Sequence, residues 1–319
     1  MILLRPILFT RTSSSWTTRS PSLFRLKSTS AFIPGAAAPF SDRVFSDVDP
    51  TAPIFQAIEG SVVITGANRG IGCQLATLLS SNPKVHIFAG IRDFTSPSVE
   101  LLSLPNTTIL PLDLSCATSI KCFASIINEH TNKDDKPLNY LFNVAGILNQ
   151  EEGKSGGGPE RSILNLDEEW IAKTFAVNTM APMLLTSALA PSLMSKVGGT
   201  KPPTIVNVSA RVGSIQDNNS LGGWYSYRCS KSALNQFTRT LGIEMSRGGR
   251  WKRKGCAISF HPGTTETDLS QPFNKSLRNT NKLFPPQFVA QQLVGLVERV
   301  EVGKNSGGFY GWDWKAIPF

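Results

Sequence analysis

Tyr227 and Lys231 stand four residues apart in the segment YRCSK. On a helix this spacing puts both side chains on one face, a turn apart. A phenol with its ordinary pKa of about 10 is a poor base and a moderate acid at neutral pH, and a neighbouring ammonium favours its ionised form. The pair can therefore pass a proton to or from an oxygen, and the expectation is that Lys231 lowers the Tyr227 phenol. Tyr225 lies close by, but Cys229 stands four residues beyond it, so it does not share the lysine in this register. Ser209 ends the apolar run TIVNVS, and its hydroxyl can bond a carbonyl oxygen.

A second chemical signal is TGANRGIG at Thr65–Gly72, which comes after the β-branched run Ser61–Thr65 and opens a helical pattern of Ile71, Leu75, Leu78 and Leu79. A glycine turn between strand and helix aims backbone amides and the helix dipole at a pyrophosphate. Gly66 permits the tight turn, Gly70 lets a ligand approach the backbone, and Gly72 lets helix and strand pack closely. The spacing differs from the G-x-G-x-x-G of other dinucleotide folds. At the end of the next strand the chain reads AGIRD. An acidic residue there grips the ribose hydroxyl of NAD, whereas an arginine accepts the 2′-phosphate of NADP. Arg92 at that place and Arg69 in the turn favour NADP(H), with Asp93 leaving NAD(H) as the lesser alternative.

The elements that must hold these residues alternate. Val85–Ala89 and Thr108–Leu112 read as strands, Ile120, Phe123, Ile126 and Ile127 mark a helix face, and Leu138–Val144 is an apolar strand. Next come a long helix over Trp170–Leu193, a strand over Thr204–Val208, a helix over Tyr227–Met245 and a strand over Ala257–Phe260. Repeated βα units predict an α/β fold, a Rossmann-type doubly wound parallel sheet with helices on both faces, in one domain spanning 61–319. Ser209 then falls at the carboxyl edge of the sheet, where ligands of open α/β folds bind.

The chain resembles the short-chain dehydrogenase/reductase family from about Ser61 onward, because these motifs recur in the family's order. DL at Asp113 and Leu114 is similar to its adenine contact and NVAG at Asn143–Gly146 to its central-strand motif, which implies Asn143, Ala145 and Gly146 as cofactor contacts. Asn178 stands where the catalytic asparagine does, and HPGTTETD matches the segment in which Pro262, Gly263, Thr265 and Thr267 would contact the nicotinamide end. Asn68 and Ile71 belong to the implied cofactor turn. Within the family, SARVGSI, GGWYSYRCSKSALNQ, HPGTTETDLSQPF and GFYGWDW resemble the C-factor (C-signal) group.

The resemblance implies hydride transfer between nicotinamide and a small carbonyl or alcohol substrate, with Tyr227 passing the proton and Ser209 orienting the oxygen. Lys231 would also bind the nicotinamide ribose, and Asn178 would hold a water that links the lysine to solvent. A homodimer or homotetramer is implied as well. Two departures are visible: Val144 replaces a second asparagine, and Ser209 and Tyr227 are more widely spaced than is usual, so Arg211–Ser226 must loop out and shape a substrate pocket. A regulatory protein that binds NADP(H) without turnover is the alternative of another class; the complete set Asn178, Ser209, Tyr227 and Lys231 argues against it.

Composition bounds the rest. The 319 residues carry 40% hydrophobic and 17% charged side chains, which suits a packed enzyme. No apolar run approaches the ~20 residues of a membrane span. Of the net charge of +9, Arg5, Arg11, Arg19, Arg25 and Lys27 precede the first acidic residue, Asp42. Residues 1–41 therefore read as an import signal, mitochondrial or alternatively plastid, with a linker over 42–60. The five cysteines form no C-x-x-C pair and the three histidines are scattered, so no metal site is expected. The run Arg247, Arg250, Lys252, Arg253 and Lys254 around Trp251 is expected to be a solvated loop and not a nucleic-acid surface. Gln150–Pro159 reads as a flexible loop, and Asp268–Phe288, with Phe273, Phe284 and Phe288, as a lid or as aromatics packed on the core.

Overall fold

The computed structural model describes residues 58–133, 137–148, 158–195, 201–218, 222–271 and 283–319. The expected import signal, nearly all of the linker, most of the Gln150–Pro159 loop and Phe273 lie outside the described residues.

Seven strands form one parallel sheet: β1 (Gly60–Thr65), β2 (Val85–Ile91), β3 (Thr107–Pro111), β4 (Leu138–Asn143), β5 (Thr204–Val208), β6 (Cys256–His261) and β9 (Phe309–Gly311), in the order β3-β2-β1-β4-β5-β6-β9. Short strands β7 (Thr264–Thr265) and β8 (Leu283–Phe284) pair beside it. Every residue of β4 and β5 is buried, as expected of strands covered on both faces. Val62 and Ile64 pack on one side with Leu75, Leu79 and Leu293, from α1 (Gly70–Ser80) and α7 (Pro286–Arg299). Val63 points the other way, into a cluster with Phe123, Leu185 and Leu241 from α3 (Ala117–Lys133), α5 (Ala181–Met194) and α6 (Tyr225–Arg247). A four-residue helix, α2 (Val99–Leu102), stands between β2 and β3. The doubly wound sheet is thus the one the alternation predicts. Strand order reverses between β1 and β4, so the loops leaving their carboxyl ends diverge and open a cleft.

Two expectations change. The single helix over Trp170–Leu193 is two helices, α4 (Glu168–Phe175) and α5, joined by a π turn at Ala176–Met180. Such a turn inserts a residue into the helical repeat and re-aims the next helix. The basic loop is also not simply solvated: Trp251 and Arg253 are buried. The Arg253 guanidinium donates to Ser195 O and Asn139 Oδ1, both at 3.3 Å, and to Lys201 O. Trp251 Nε1 donates to Glu244 Oε1 at 3.1 Å. Carbonyls left bare by neighbouring loops draw the cation inward, which removes it from any surface that RNA could touch.

Candidate active site

The cleft at the strand reversal is lined at one end by the glycine turn and at the other by Ser209, Tyr227 and Lys231. The turn is fixed sterically. Gly66 and Gly70 have φ of +68° and +57°, in the left-handed region where glycine carries no Cβ penalty. A Cβ on Gly72 would lie 2.3 Å from Gly66 O, so this glycine is what lets α1 close on the turn. Thr65, a strand residue by its sequence setting, binds the two halves of the fold: its hydroxyl accepts from Val144 N at 3.0 Å and Ala145 N at 3.2 Å. Its place at the last position of β1, before the glycines, is the one sequence signal for this role.

Asn68 accepts from Ser98 N at 2.6 Å and donates to Ser96 O at 3.2 Å, which pins the loop after β2 against the turn. Arg92 sits exposed on the cleft rim at the end of β2. The Asp93 carboxylate accepts from Thr95 N at 3.0 Å and Thr95 Oγ1 at 2.6 Å, and these bonds hold it below the usual carboxylate range. Arg69 lies in the turn, 2.9 Å from the Asp268 carboxylate, with both side chains largely exposed. Asp113 is held below its ordinary value by the hydroxyl and amide of Ser115, with Leu114 beside it in the lining. Ile71, Ala145, Gly146, Pro262, Gly263, Thr265 and Thr267 also line the cleft.

Asn143 does not. Its Nδ2 donates to Asn207 Oδ1 at 2.8 Å, and Asn207 donates to Thr238 Oγ1 at 2.8 Å, a buried chain that ties β4, β5 and α6. Asn178 is likewise fully buried, at the π turn. Its Oδ1 accepts from Ile147 N at 2.8 Å, and its Nδ2 donates to Ile147 O at 2.9 Å and Ser230 Oγ at 3.2 Å. The asparagine side chain therefore positions the strand-end segment and α6. Gly146 is what lets these parts approach: a Cβ there would lie 3.2 Å from Asn178 Oδ1 and 3.4 Å from Lys231 Nζ.

Lys231 Nζ donates to Val208 O at 2.8 Å and lies 5.7 Å from the centre of the Tyr227 ring. Both side chains are buried, with 3% of Lys231 and 8% of Tyr227 exposed. Desolvation penalises the charged form of each. Burial pushes the lysine down to about 7 and the phenol up from its ordinary value. The expected lowering of the phenol is thus reversed, because the phenol's own burial penalises its ionised form. The raised value keeps the Tyr227 phenol protonated across the neutral range. Tyr225, two residues earlier, does not line the cleft.

Ser209 is 2% exposed, and its hydroxyl has no hydrogen-bond partner among the described residues. An unsatisfied buried hydroxyl costs about 1–3 kcal/mol, and a carbonyl oxygen entering the cleft would satisfy it. Leu148, Ala210 and Tyr227, packed with Val212, Trp224 and Leu269, make an apolar wall around this end. Of the two readings of Asp268–Phe288, the described aromatics follow the packed one: Phe284, Phe288 and Trp312 lie against the core, with Phe284 tilted on Trp312 at 4.4 Å between ring centres and Phe288 5.3 Å from Phe284. Gly263 lies under them; a Cβ there would meet Phe284 at 2.7 Å.

The glycine turn, the cationic rim and the unsatisfied serine beside a protonated phenol fit a nicotinamide dinucleotide with a carbonyl next to it. Comparison with known proteins agrees. The family model for short chain dehydrogenase matches residues 61–278. The C-signal protein of Myxococcus xanthus is 30% identical over 189 residues, 59% of this chain and 97% of its own. A benzil reductase ((S)-benzoin forming) of Bacillus subtilis is 26% identical over 262 residues, 78% of this chain and 96% of its own. Among solved structures, the NADPH-bound carbonyl reductase from chicken fatty liver matches with a TM-score of 0.69 and 28% identity, over 82% of this chain and 99% of that one.

Proposed function

Because the chain belongs to the short-chain dehydrogenase/reductase family and is by that membership an oxidoreductase, we propose that it is an NADPH-dependent reductase of small carbonyl compounds, with Tyr227 as proton donor. The observation that carries this reading is the pairing, in one cleft, of a buried, protonated phenol with a Ser209 hydroxyl that has no partner among the described residues. When bound, the nicotinamide supplies the hydride. The chain's own residues do the rest. The Ser209 hydroxyl donates to the substrate oxygen and orients it. Tyr227 gives its proton to that oxygen as negative charge develops. Lys231, held by Val208 O, titrates near neutrality and can return a proton to the phenol. The apolar wall excludes water and favours a substrate with an apolar group on its carbonyl carbon.

NADPH is favoured over NADH by Arg92 and Arg69 on the rim, and by the engagement of Asp93 with Thr95. An acid turned into its own loop is not offered to a ribose hydroxyl. We also assign residues 1–41 to mitochondrial import on their acid-free, arginine-bearing composition, and an oligomer as the working assembly. The test is NADPH and NADH oxidation against a panel of carbonyl compounds that begins with benzil. Turnover with NADPH preferred is the expected result. Tight NADPH binding with no turnover on a broad panel would replace the reductase by a sensor.

A further inference from the structure

Glu160 is a carboxylate almost wholly withdrawn from solvent, with 3% of the residue exposed. It belongs to none of the sequence motifs, and it does not line the cleft. Yet it grips the two residues that flank the entry to α6 by separate groups. Its Oε1 accepts from the Ser226 hydroxyl. Its main-chain oxygen accepts from Trp224 N at 2.6 Å. Ser226 immediately precedes Tyr227, and Trp224 is the residue from which α6 starts.

The entry needs holding. Trp224 has φ 58° and ψ 36°, a left-handed conformation that a bulky side chain rarely adopts without support from its surroundings. No side-chain cap closes the helix at Trp224, so the first turn depends on partners from elsewhere. Gly223 makes the approach possible, since a Cβ there would stand 2.9 Å from Glu160 O. The Trp224 ring in turn lies edge-on to the Tyr227 ring, with centres 6.3 Å apart.

We propose that Glu160 is a positioning residue for the reaction. By fixing Trp224 and Ser226 it sets where the first turn of α6 begins, and so where the Tyr227 hydroxyl stands relative to Ser209. It touches neither substrate nor cofactor. The inference rests on the reading of Tyr227 as proton donor. It accounts for how the long interval between Ser209 and Tyr227 can return to a defined helix start: a residue from before α4 clamps the end of the loop.

The experiment compares wild type with Glu160→Ala, Glu160→Gln and Ser226→Ala in the full chain. Backbone amide exchange over 224–230 needs no substrate; turnover uses NADPH with the best carbonyl compound of the panel. Glu160→Ala is expected to speed exchange in that segment more than tenfold, with β5 and β6 unchanged. It should lower kcat more than tenfold while the NADPH Kd stays within twofold. Glu160→Gln keeps an accepting oxygen for Ser226 and should stay within threefold of wild type. Should Glu160→Ala not fold, Ser226→Ala, which deletes one hydroxyl, should still lower kcat about threefold to fivefold. Exchange and kcat within twofold of wild type in Glu160→Ala, or in Ser226→Ala if that alone folds, would overturn the proposal. Tyr227→Phe in the same assay separates the two claims. If it is inactive while Glu160→Ala is normal, only the positioning role fails; if it turns over at the wild-type rate, the donor assignment fails and the positioning role with it.

Discussion

Ser209 contributes a buried hydroxyl that no group among the described residues satisfies. Removing it should therefore separate activity from stability. Ser209→Ala is expected to lower kcat by about 10²–10³, the usual loss for one donor to a developing oxyanion. The melting temperature should be unchanged or higher, because an unsatisfied polar group disappears. Thermal melts beside steady-state assays check both halves. Lys231 makes a second prediction through its titration. Its folded value lies near 7, well below that of the unfolded chain. Below pH 7 the folded protein carries a buried ammonium. Between pH 7 and about 10 the unfolded chain holds a proton that the folded one has released, so stability rises with pH, by at most about 1.4 kcal/mol per pH unit. The raised phenol of Tyr227 contributes nothing until pH passes its unfolded value of about 10. Relative to Lys231→Met, wild type should gain in denaturant midpoint from pH 7 to 9.5, and a constant difference would contradict the lysine's low value.

The elements that carry the site are joined by a few polar contacts. Thr65 holds the end of β4 to the end of β1 through Val144 N and Ala145 N. Thr65→Val keeps the shape and leaves two amides without their acceptor, a loss of roughly 1–3 kcal/mol. Weaker NADPH binding is expected alongside a lower melting temperature, read by fluorescence titration and calorimetry. The βα alternation, the glycine turn and the Tyr227–Lys231 face are legible in the sequence because each is a local pattern of period or spacing. Contacts between distant segments are not. Asn143 reads as a cofactor contact from its motif but bonds Asn207 across the sheet. Arg253 reads as part of a solvated run, yet its partners Asn139, Ser195 and Lys201 come from other loops. The π turn at Ala176–Met180 leaves no trace in the apolar pattern, since one added residue re-aims the helix without altering which residue types are buried. The direction of the Tyr227 shift is hidden for the same reason: spacing reveals the neighbour, whereas burial depends on the whole fold.

At the scale of the molecule, the strand reversal opens one cleft that the glycine turn, Arg92, Ser209, Tyr227 and Lys231 all line, and on the proposed reading that cleft takes cofactor and substrate together. Arg92→Asp at the cofactor end should reduce the preference for NADPH over NADH by tenfold or more, measured as the ratio of the two kcat/KM values, while leaving the carbonyl preference unchanged. The central claim is that Tyr227 donates the proton. It is tested most directly by NADPH oxidation with the best carbonyl compound of the panel, by wild type and Tyr227→Phe, with NADPH Kd measured in parallel. A fall in kcat of about 10²–10⁴ at unchanged Kd is predicted, the range for loss of a positioned general acid. Turnover by Tyr227→Phe at the wild-type rate would contradict it.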